Sequence, residues 1–261
     1  MTNSPKAARP PARLILEDGS VLVGRGFGSA QDGFGELVFN TSMTGYQEIL
    51  TDPSYRGQTV LLTQPHIGNY GISNEDEESS KLWLSGLVVR EACHRASNFR
   101  SGIELHDYLA QHEVPGIEGV DTRMLTRRIR DHGEQRTLIT RDMTSSVEAL
   151  VERIKQSPRV ADVDHVLKVT TESQHAWDKG YESEFSPESP GLADGGKKHH
   201  IIAYDFGAKR NILRSLVAIV WSRARLSSMR LLSALTASTN PAARASSPGY
   251  RLPVRAASRA T

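Results

Sequence analysis

FNTSMTGYQEILTDPSY, residues 39–55, is the most distinctive stretch of this sequence, because it is long and unlike the apolar runs of a generic protein core. Strand candidates flank it at residues 36–40 and 58–63, where β-branched and other apolar residues cluster. Its last four residues, DPSY, have the composition of a turn, with Ser54 as an ordinary turn hydroxyl after Pro53. The stretch therefore connects two predicted strands.

Outward from it, the pattern predicts one α+β domain over residues 13–157. RLILE and SVLVG flank Asp18 and Gly19, a pair typical of a two-residue hairpin turn. Residues 84–90 and 136–140 are further strand candidates, and residues 105–109 predict a short helix. A longer helix is predicted at residues 122–132, with Asp121 or Thr122 as N-cap and Gly133 as its stop. Ser145 to Glu148 has the spacing of a capping box before another helix.

Composition and charge narrow the class of protein. The formal charge is +2 over 261 residues, yet residues 218–261 carry seven arginines and no acidic residue, so the rest is mildly acidic and has no nucleic-acid footprint. The single cysteine excludes an internal disulfide and a multi-cysteine zinc site, and a reducing, cytoplasmic compartment is expected. No run approaches the roughly 18 apolar residues of a membrane span. Residues 1–12, rich in proline, are expected to be a disordered leader.

The C-terminal third changes character twice. Residues 158–198 are rich in Ser, Glu, Gly and Pro around isolated apolar residues, which predicts a linker or surface excursion. Residues 199–217 then predict a strand, HIIAYD, followed by a helix whose apolar face carries Ile212, Leu213 and Leu216. This is how a parallel α/β domain begins. From residue 218 the chain turns to Ala, Ser, Arg and Pro without strand alternation.

Several segments together resemble one known family, the carbamoyl-phosphate synthetase small subunit. They are, in order, LEDGS, FNTSMTGYQEILTDPSY, TQPHIGNYG, DEESS, GLVVRE, ASNFRS, DTRMLTRRIRDHG and AYDFGAKRNILR, and the resemblance covers about residues 13–217. It implies an α+β N-terminal domain that contacts a large synthetase subunit, followed by the first βα unit of an incomplete α/β class I amidotransferase domain. It also implies that glutamine is the small-molecule substrate and that ammonia passes to the large subunit for carbamoyl phosphate, in pyrimidine and arginine biosynthesis.

The resemblance assigns one site residue and no cofactor to this chain. Ser54, in DPSY, matches the serine that contacts glutamine in the family. ATP and magnesium are expected on the large subunit, which agrees with the lack of a GxxxxGK[ST] loop here. No metal site is expected.

The catalytic residues of such an amidotransferase are absent from the sequence. The chemistry needs a cysteine nucleophile, a histidine base and a carboxylate to orient it, and in the family the cysteine lies in a G-x-C-x-G turn. Cys93 lacks flanking glycines, and His94 beside it would point to the opposite face of a strand. His132-Gly133-Glu134 matches the family's H-x-E spacing but at a predicted helix end, so we interpret it as accidental. No catalytic residue is therefore predicted.

Three readings of the function stay open. The chain is by descent an amidotransferase subunit without glutaminase chemistry, or a non-catalytic module that binds the large subunit, or a non-functional product truncated or frameshifted after about Val217. The arginines of the predicted helix, Arg123, Arg127, Arg128 and Arg130, form either a solvated face or an electrostatic contact with the large subunit.

Three further patterns have plain structural explanations. Gly24-Arg-Gly26-Phe-Gly28 is interpreted as a glycine-rich strand exit rather than a nucleotide loop. The KKHH sequence at residues 197–200 is interpreted as a solvated boundary. Residues 212–235 also allow a basic amphipathic helix.

Overall fold

The computed structural model describes residues 8–181, 200–221 and 228–233. The strands are Pro11–Leu16 (β1), Val21–Gly28 (β2), Gly33–Asn40 (β3), Gln58–Leu62 (β4), His66–Ile67 (β5), Gly86–Val89 (β6), Glu91–Ala92 (β7), Pro115–Glu118 (β8), Arg136–Thr140 (β9), His175–Trp177 (β10), His200–Asp205 (β11) and Ser228–Ser233 (β12). The α-helices are Tyr46–Leu50 (α1), Leu105–Gln111 (α2), Thr122–His132 (α3), Val147–Gln156 (α4), His165–Val169 (α5) and Arg210–Trp221 (α6).

Seven strands close into a barrel in the order β1, β2, β8, β6, β4, β3, β9. β3, β4, β6 and β8 run parallel to one another, and the remaining pairings are antiparallel. The sequence predicts an α+β domain but not this closure. Barrel closure removes the open edges that an ordinary sheet would leave unpaired.

The hairpin that starts the barrel confirms the turn predicted from Asp18 and Gly19. Gly19 has a φ of +87°, a conformation that glycine adopts without strain. The Asp18 carboxylate accepts a hydrogen bond from the backbone N–H of Ser20 at 2.9 Å. β1 and β2 pair with Leu14 opposite Leu22, so the turn sets the register of the first two strands.

The parallel strands are apolar on both faces. In β4, Val60 and Leu62 belong to a buried cluster that includes residues of α1 and α2, whereas Leu61 lies in a second cluster that includes Leu125 and Ile129 of α3. Successive side chains of a strand point to opposite faces, so the alternation separates these two clusters. A strand covered on both sides reads as a continuous apolar run, which explains why TVLL and GLVV show no polar alternation.

The N-cap of α3 lies where the sequence predicts it, whereas the N-cap of α4 lies one residue later than predicted. α3 has the predicted bounds, with Asp121 as N-cap accepting from the N–H of Met124 at 2.9 Å and Gly133 at its end. α4 is capped by Ser146, which accepts from Ala149, so a box starting at Ser145 is wrong.

The C-terminal part of the described chain is a second, smaller sheet. β12 pairs parallel with β11 and antiparallel with β10, and α6 packs on one face through Leu213. The strand and helix predicted within residues 199–217 are present as β11 and α6. A continuous amphipathic helix over residues 212–235 is not, because α6 ends at Trp221 and residues 228–233 form a strand.

Short elements escaped prediction. β8 is one of them, and it begins with Pro115, the position at which a strand tolerates proline. α5 and β10 lie within residues 158–198, which were expected to be a linker or surface excursion. The proline-rich leader predicted at residues 1–12 is described only from residue 8, and the prediction is wrong for residues 11 and 12, which belong to β1 and pair with β2. Residues 197–199 of the KKHH sequence lie outside the described ranges.

Candidate functional site

Ser54 lies on a single turn of 3-10 helix, Pro53–Tyr55, that follows α1. Asp52 is its N-cap, and the Asp52 carboxylate accepts a hydrogen bond from the backbone N–H of Ser54 at 2.9 Å. Pro53 at the first helical position has its φ already set for this turn. Asp52 and Pro53 are buried and hold the turn in place, whereas Ser54 is exposed to solvent.

The loop between β11 and α6 packs against this turn. Asp205 accepts hydrogen bonds from the N–H groups of Gly207 and Ala208 at 2.8 and 2.7 Å, which closes the loop. Gly207 has a φ of +94°, which strains any residue with a side chain. A Cβ there would also lie 2.8 Å from Val169 Cγ2 and 3.1 Å from Pro53 Cβ, so the loop approaches the turn closely. The site around Ser54 therefore includes residues from two distant parts of the sequence.

A lysine fixes the same junction. Lys209 Nζ lies 3.0 Å from Asp52 Oδ2, and Asp52 is 7% exposed. The side-chain hydrogen bond with Asp52 raises the pKa of Lys209, so its ammonium group stays charged at neutral pH. Asp52 thus accepts from Ser54 with one oxygen and from Lys209 with the other.

The first turn of α6 is held by two consecutive glutamates. The buried Glu78 carboxylate accepts from the backbone N–H of Asn211 at 2.9 Å and from Asn211 Nδ2 at 2.7 Å. Arg210 Nη1 lies 2.8 Å from Glu77 Oε2. A carboxylate at a helix N-terminus satisfies unpaired N–H groups and favours the helix dipole. The DEESS and DFGAKRNILR segments are therefore parts of one contact.

The loop that carries Glu77 and Glu78, residues 73–79, is anchored to α1 and to its C-cap by buried polar groups. Gln47 is fully buried, and its side chain donates to the Ser73 carbonyl and accepts from the Ser73 N–H. Thr51 Oγ1 accepts from the N–H of Glu78 at 2.8 Å. Buried polar groups that are fully paired give one arrangement of the chain. Gln47, Thr51 and Asp52 of the distinctive stretch thus fix the Ser54 turn and the backbone at Ser73 and Glu78.

The TGY sequence at the start of α1 is organised by a tyrosine from outside it. Tyr70 Oη accepts from the backbone N–H groups of Gly45 and Tyr46, both at 2.9 Å, and the Tyr46 and Tyr70 rings stack with centroids 4.1 Å apart. Burial raises the pKa of Tyr70 to about 12, so its hydroxyl remains neutral. Gly45, with a φ of +80°, permits the turn.

Cys93 lies beside a histidine that sequence reasoning missed. Its Sγ is 3.6 Å from His66 Nδ1, and His66 Nε2 is 3.6 Å from Glu91 Oε2, so thiol, imidazole and carboxylate lie in a row. The pairing of β5 with β7 brings them together, a contact between distant segments that spacing does not reveal. The His66 and Glu91 side chains are 58% and 56% exposed, so water screens both groups.

The other sequence candidates have structural roles. Gly24 lies inside β2, where a Cβ would meet the Glu118 carbonyl oxygen, so it permits a close strand approach. His132 is exposed at the end of α3, where its Nδ1 lies 3.2 Å from the Arg128 carbonyl oxygen. No cluster of three or more His, Cys, Asp or Glu side chains suited to a metal occurs among the described residues. Within those ranges, none of the helices has the length and apolarity needed to cross a bilayer.

Residues 14–139 match the family model of the carbamoyl-phosphate synthase small chain, CPSase domain. The matched residues run from β1 to β9 and contain the Ser54 turn, Glu77 and Glu78. The barrel and the loops around it are therefore a CPSase domain.

Full-length relatives agree with this class. The carbamoyl phosphate synthase small chain of Syntrophotalea carbinolica is 49% identical over 208 residues, which cover 80% of this chain and 54% of that protein. Those of Nostoc sp. and Nitratidesulfovibrio vulgaris are 44% and 47% identical, covering 80% and 78% of this chain and 53% and 54% of theirs. The chain belongs to the carbamoyl-phosphate synthase small chain family, and it spans about half the length of these relatives.

Among solved structures, an aminopeptidase from Aneurinibacillus sp. strain AM-1 aligns with a TM-score of 0.30 and 16% identity, covering 51% of this chain and 31% of that one. A likeness of this size carries no argument about fold or function.

Proposed function

We propose that this chain is the large-subunit-docking part of a glutamine-dependent carbamoyl-phosphate synthetase small chain and does not itself hydrolyse glutamine. In the intact enzyme the small chain supplies ammonia from glutamine to the large subunit, which makes carbamoyl phosphate for pyrimidine and arginine biosynthesis with ATP and magnesium. The observation that carries the proposal is the CPSase domain match, which runs from within β1 to within β9 and contains the Ser54 turn. Docking uses the surface of this domain.

Residues 199–217 are proposed to be the first βα unit of the class I amidotransferase domain. The parallel pairing of β11 with β12 and the packing of α6 on one face support this interpretation. On the opposite face of β11, Ile202 and Tyr204 are 60% and 61% exposed. Parallel strands are normally covered on both faces, so this face is suited to contact further α/β units.

Ser54 is proposed as one glutamine contact of that domain. Its exposure and its position beside the β11–α6 loop support the role, because a class I domain built on β11 would face the same turn. The remaining glutamine contacts would come from residues outside this sequence. Ser54 alone is therefore expected to bind free glutamine weakly.

Turnover is not expected, because the one cysteine of the sequence is poorly placed for covalent catalysis. The row of Cys93, His66 and Glu91 supplies the residue types of a nucleophile, base and orienting acid. However, the imidazole and the carboxylate are both more than half exposed. Glycines do not flank Cys93 in the sequence as they do in the G-x-C-x-G turn, whose backbone N–H groups would stabilise an oxyanion. Glutamate released from glutamine by the full chain, and lost in Cys93→Ser, would overturn this part of the proposal.

A competition assay tests docking. The full chain is titrated into carbamoyl-phosphate synthetase reconstituted from the Syntrophotalea carbinolica small and large chains, with glutamine or ammonia as nitrogen source. Displacement of the native small chain should lower glutamine-dependent synthesis and leave ammonia-dependent synthesis unchanged. No inhibition at a large molar excess, or equal inhibition with both nitrogen sources, would contradict the proposal.

A further inference from the structure

A cavity of about 680 Å³ lies between α3 and the ends of the barrel strands. Its lining consists of four arginines, four threonines and one proline. Arg123, Arg127 and Arg130 come from α3, and Arg90 comes from the opposite wall. The volume is in the range of small-molecule sites, about 300–1,000 Å³.

The topology explains why these side chains converge. β3, β4 and β6 are parallel neighbours. Thr41, Thr63 and Arg90 are the residues that directly follow the ends of these three strands. α3 follows β8, the fourth parallel strand, and forms the wall of the cavity that faces the strand ends. The cavity therefore lies at the carboxyl edge of four parallel strands, the edge at which α/β sheets usually bind ligands.

The positive charge of this cavity is not balanced within its lining, which contains no carboxylate. Within the described residues, Arg123 and Arg127 make no ion pair, and Arg90 donates only to the Val120 carbonyl oxygen at 3.3 Å. Arg130 Nε lies 3.0 Å from Asp131, its neighbour on the exposed helix surface. At least three guanidinium groups thus face the cavity without a protein anion.

A neighbouring cavity shows the contrast. It shares Arg123 and Arg127 and has a similar volume, about 640 Å³, but its lining includes Asp18, Asp121 and Asp131. There Arg128 forms an ion pair with Asp18. Carboxylates therefore offset part of the positive charge of that cavity, whereas the lining of the cavity at the strand ends contains none.

We propose that the arginine and threonine cavity binds a small ligand through a phosphoryl group. Guanidinium groups bind phosphate oxygens in pairs of parallel hydrogen bonds, and the hydroxyls of Thr41 and Thr63 can donate to the remaining oxygens. Thr126 Oγ1 already donates to the Thr122 carbonyl oxygen at 2.8 Å. A phosphate dianion or diphosphate offsets several positive charges from one centre, which suits the three guanidinium groups that lack a protein anion. The concave shape and the hydroxyls on the strand side favour a small phosphorylated ligand over an acidic protein segment, which needs an open surface. This proposal does not depend on docking to a large chain.

Isothermal titration of the full chain with inorganic pyrophosphate tests the proposal, with sodium chloride at equal ionic strength as the reference. Saturable binding of one pyrophosphate is expected. Arg127→Gln should weaken it about tenfold or more, the loss typical of one charge-assisted contact. Arg128→Gln is the matched control, because it removes the same charge from the same helix at a residue that lies outside this cavity and pairs with Asp18. It should change affinity less than about threefold, as for a solvent-screened charge that makes no contact with the ligand.

Two outcomes would overturn the proposal. Heat indistinguishable from that of the chloride reference would show that the cavity does not hold a phosphoryl group. Equal weakening by Arg127→Gln and Arg128→Gln would show that pyrophosphate responds only to net charge. A parallel titration with hexaglutamate covers the competing partner: binding of this peptide without binding of pyrophosphate would assign the cavity to an acidic protein segment instead. Circular dichroism of each variant confirms that the chain is folded.

Discussion

Glu78→Gln tests whether one carboxylate holds α6 against the CPSase domain. Each carboxylate oxygen of Glu78 accepts one hydrogen bond from Asn211, from the backbone N–H and from Nδ2. A glutamine keeps the shape but offers a single acceptor, so one donor loses its partner. Rotating the Asn211 amide does not repair the loss, because Asn211 Oδ1 already accepts from Arg214 at 2.8 Å.

The expected cost follows from these contacts. A hydrogen bond to a charged group contributes about 1.5–3 kcal/mol, and a negative charge at a helix N-terminus about 0.3–1 kcal/mol. Glu78 is 6% exposed, so water does not replace the lost partner. We expect α6 to be destabilised against local opening by about 2 kcal/mol, which corresponds to about 30-fold faster amide exchange.

Hydrogen exchange read by mass spectrometry measures this opening in peptides of residues 205–217. Exchange in residues 11–16 should be unchanged, because β1 is held in the barrel by its pairing with β2 and β9. Glu75→Gln is the control, since Glu75 is exposed in the same loop and pairs with Arg100 instead. Unchanged exchange of α6 in Glu78→Gln, or equal acceleration in Glu75→Gln, would refute the assigned role of Glu78.

Three further predictions concern stability, measured by urea unfolding across pH. Burial raises the pKa of Glu48, so the stability that protonated Glu48 contributes is present below the ordinary carboxyl pKa of 4.5 and is lost as pH rises through the raised folded-state pKa. Glu48→Gln should therefore be more stable than the wild type at neutral pH. No gain in stability there would contradict this reasoning. The side-chain hydrogen bond from Arg136 lowers the pKa of Glu17, so the stability that ionised Glu17 contributes is present above pH 4.5 and is lost as pH falls through the lowered folded-state pKa. Glu17→Gln should therefore reduce the loss of unfolding free energy at acid pH. An unchanged acid dependence would refute this role of Glu17. In Gly116→Ala the new Cβ would lie 2.6 Å from the Phe27 ring, which should lower the free energy of unfolding by about 1–3 kcal/mol. Gly102→Ala is the control and should lower it less, because its nearest contact would be at 3.6 Å. Equal losses in the two variants would contradict the packing argument.

Local signals in the sequence identified many elements. The bounds of α3 follow from Asp121 and Gly133, and the first hairpin follows from Asp18 and Gly19, because caps and turns depend on a few neighbouring residues. The closure of the barrel could not be predicted in this way. It depends on β8, a four-residue strand, and on pairings between strands far apart in the chain.

The candidate site was predicted only in part for the same reason. Ser54 was reached through the family resemblance, and its assignment to glutamine remains a proposal. The contacts of Asp52 with Lys209 and of Glu78 with Asn211 span more than a hundred residues, and no spacing rule connects them. His66 beside Cys93 depends likewise on the pairing of two short strands. Short-range patterns contain no information on such contacts.

Light scattering on a size-exclusion column tests docking most directly. The full chain of 28.7 kDa is mixed with the carbamoyl-phosphate synthase large chain of Syntrophotalea carbinolica, and the molar mass of each peak is measured. The proposal predicts one peak whose mass exceeds that of the large chain assembly by one copy of this chain per large chain. Two separate peaks with the masses of the unmixed proteins, at concentrations where the native small chain associates, would contradict it.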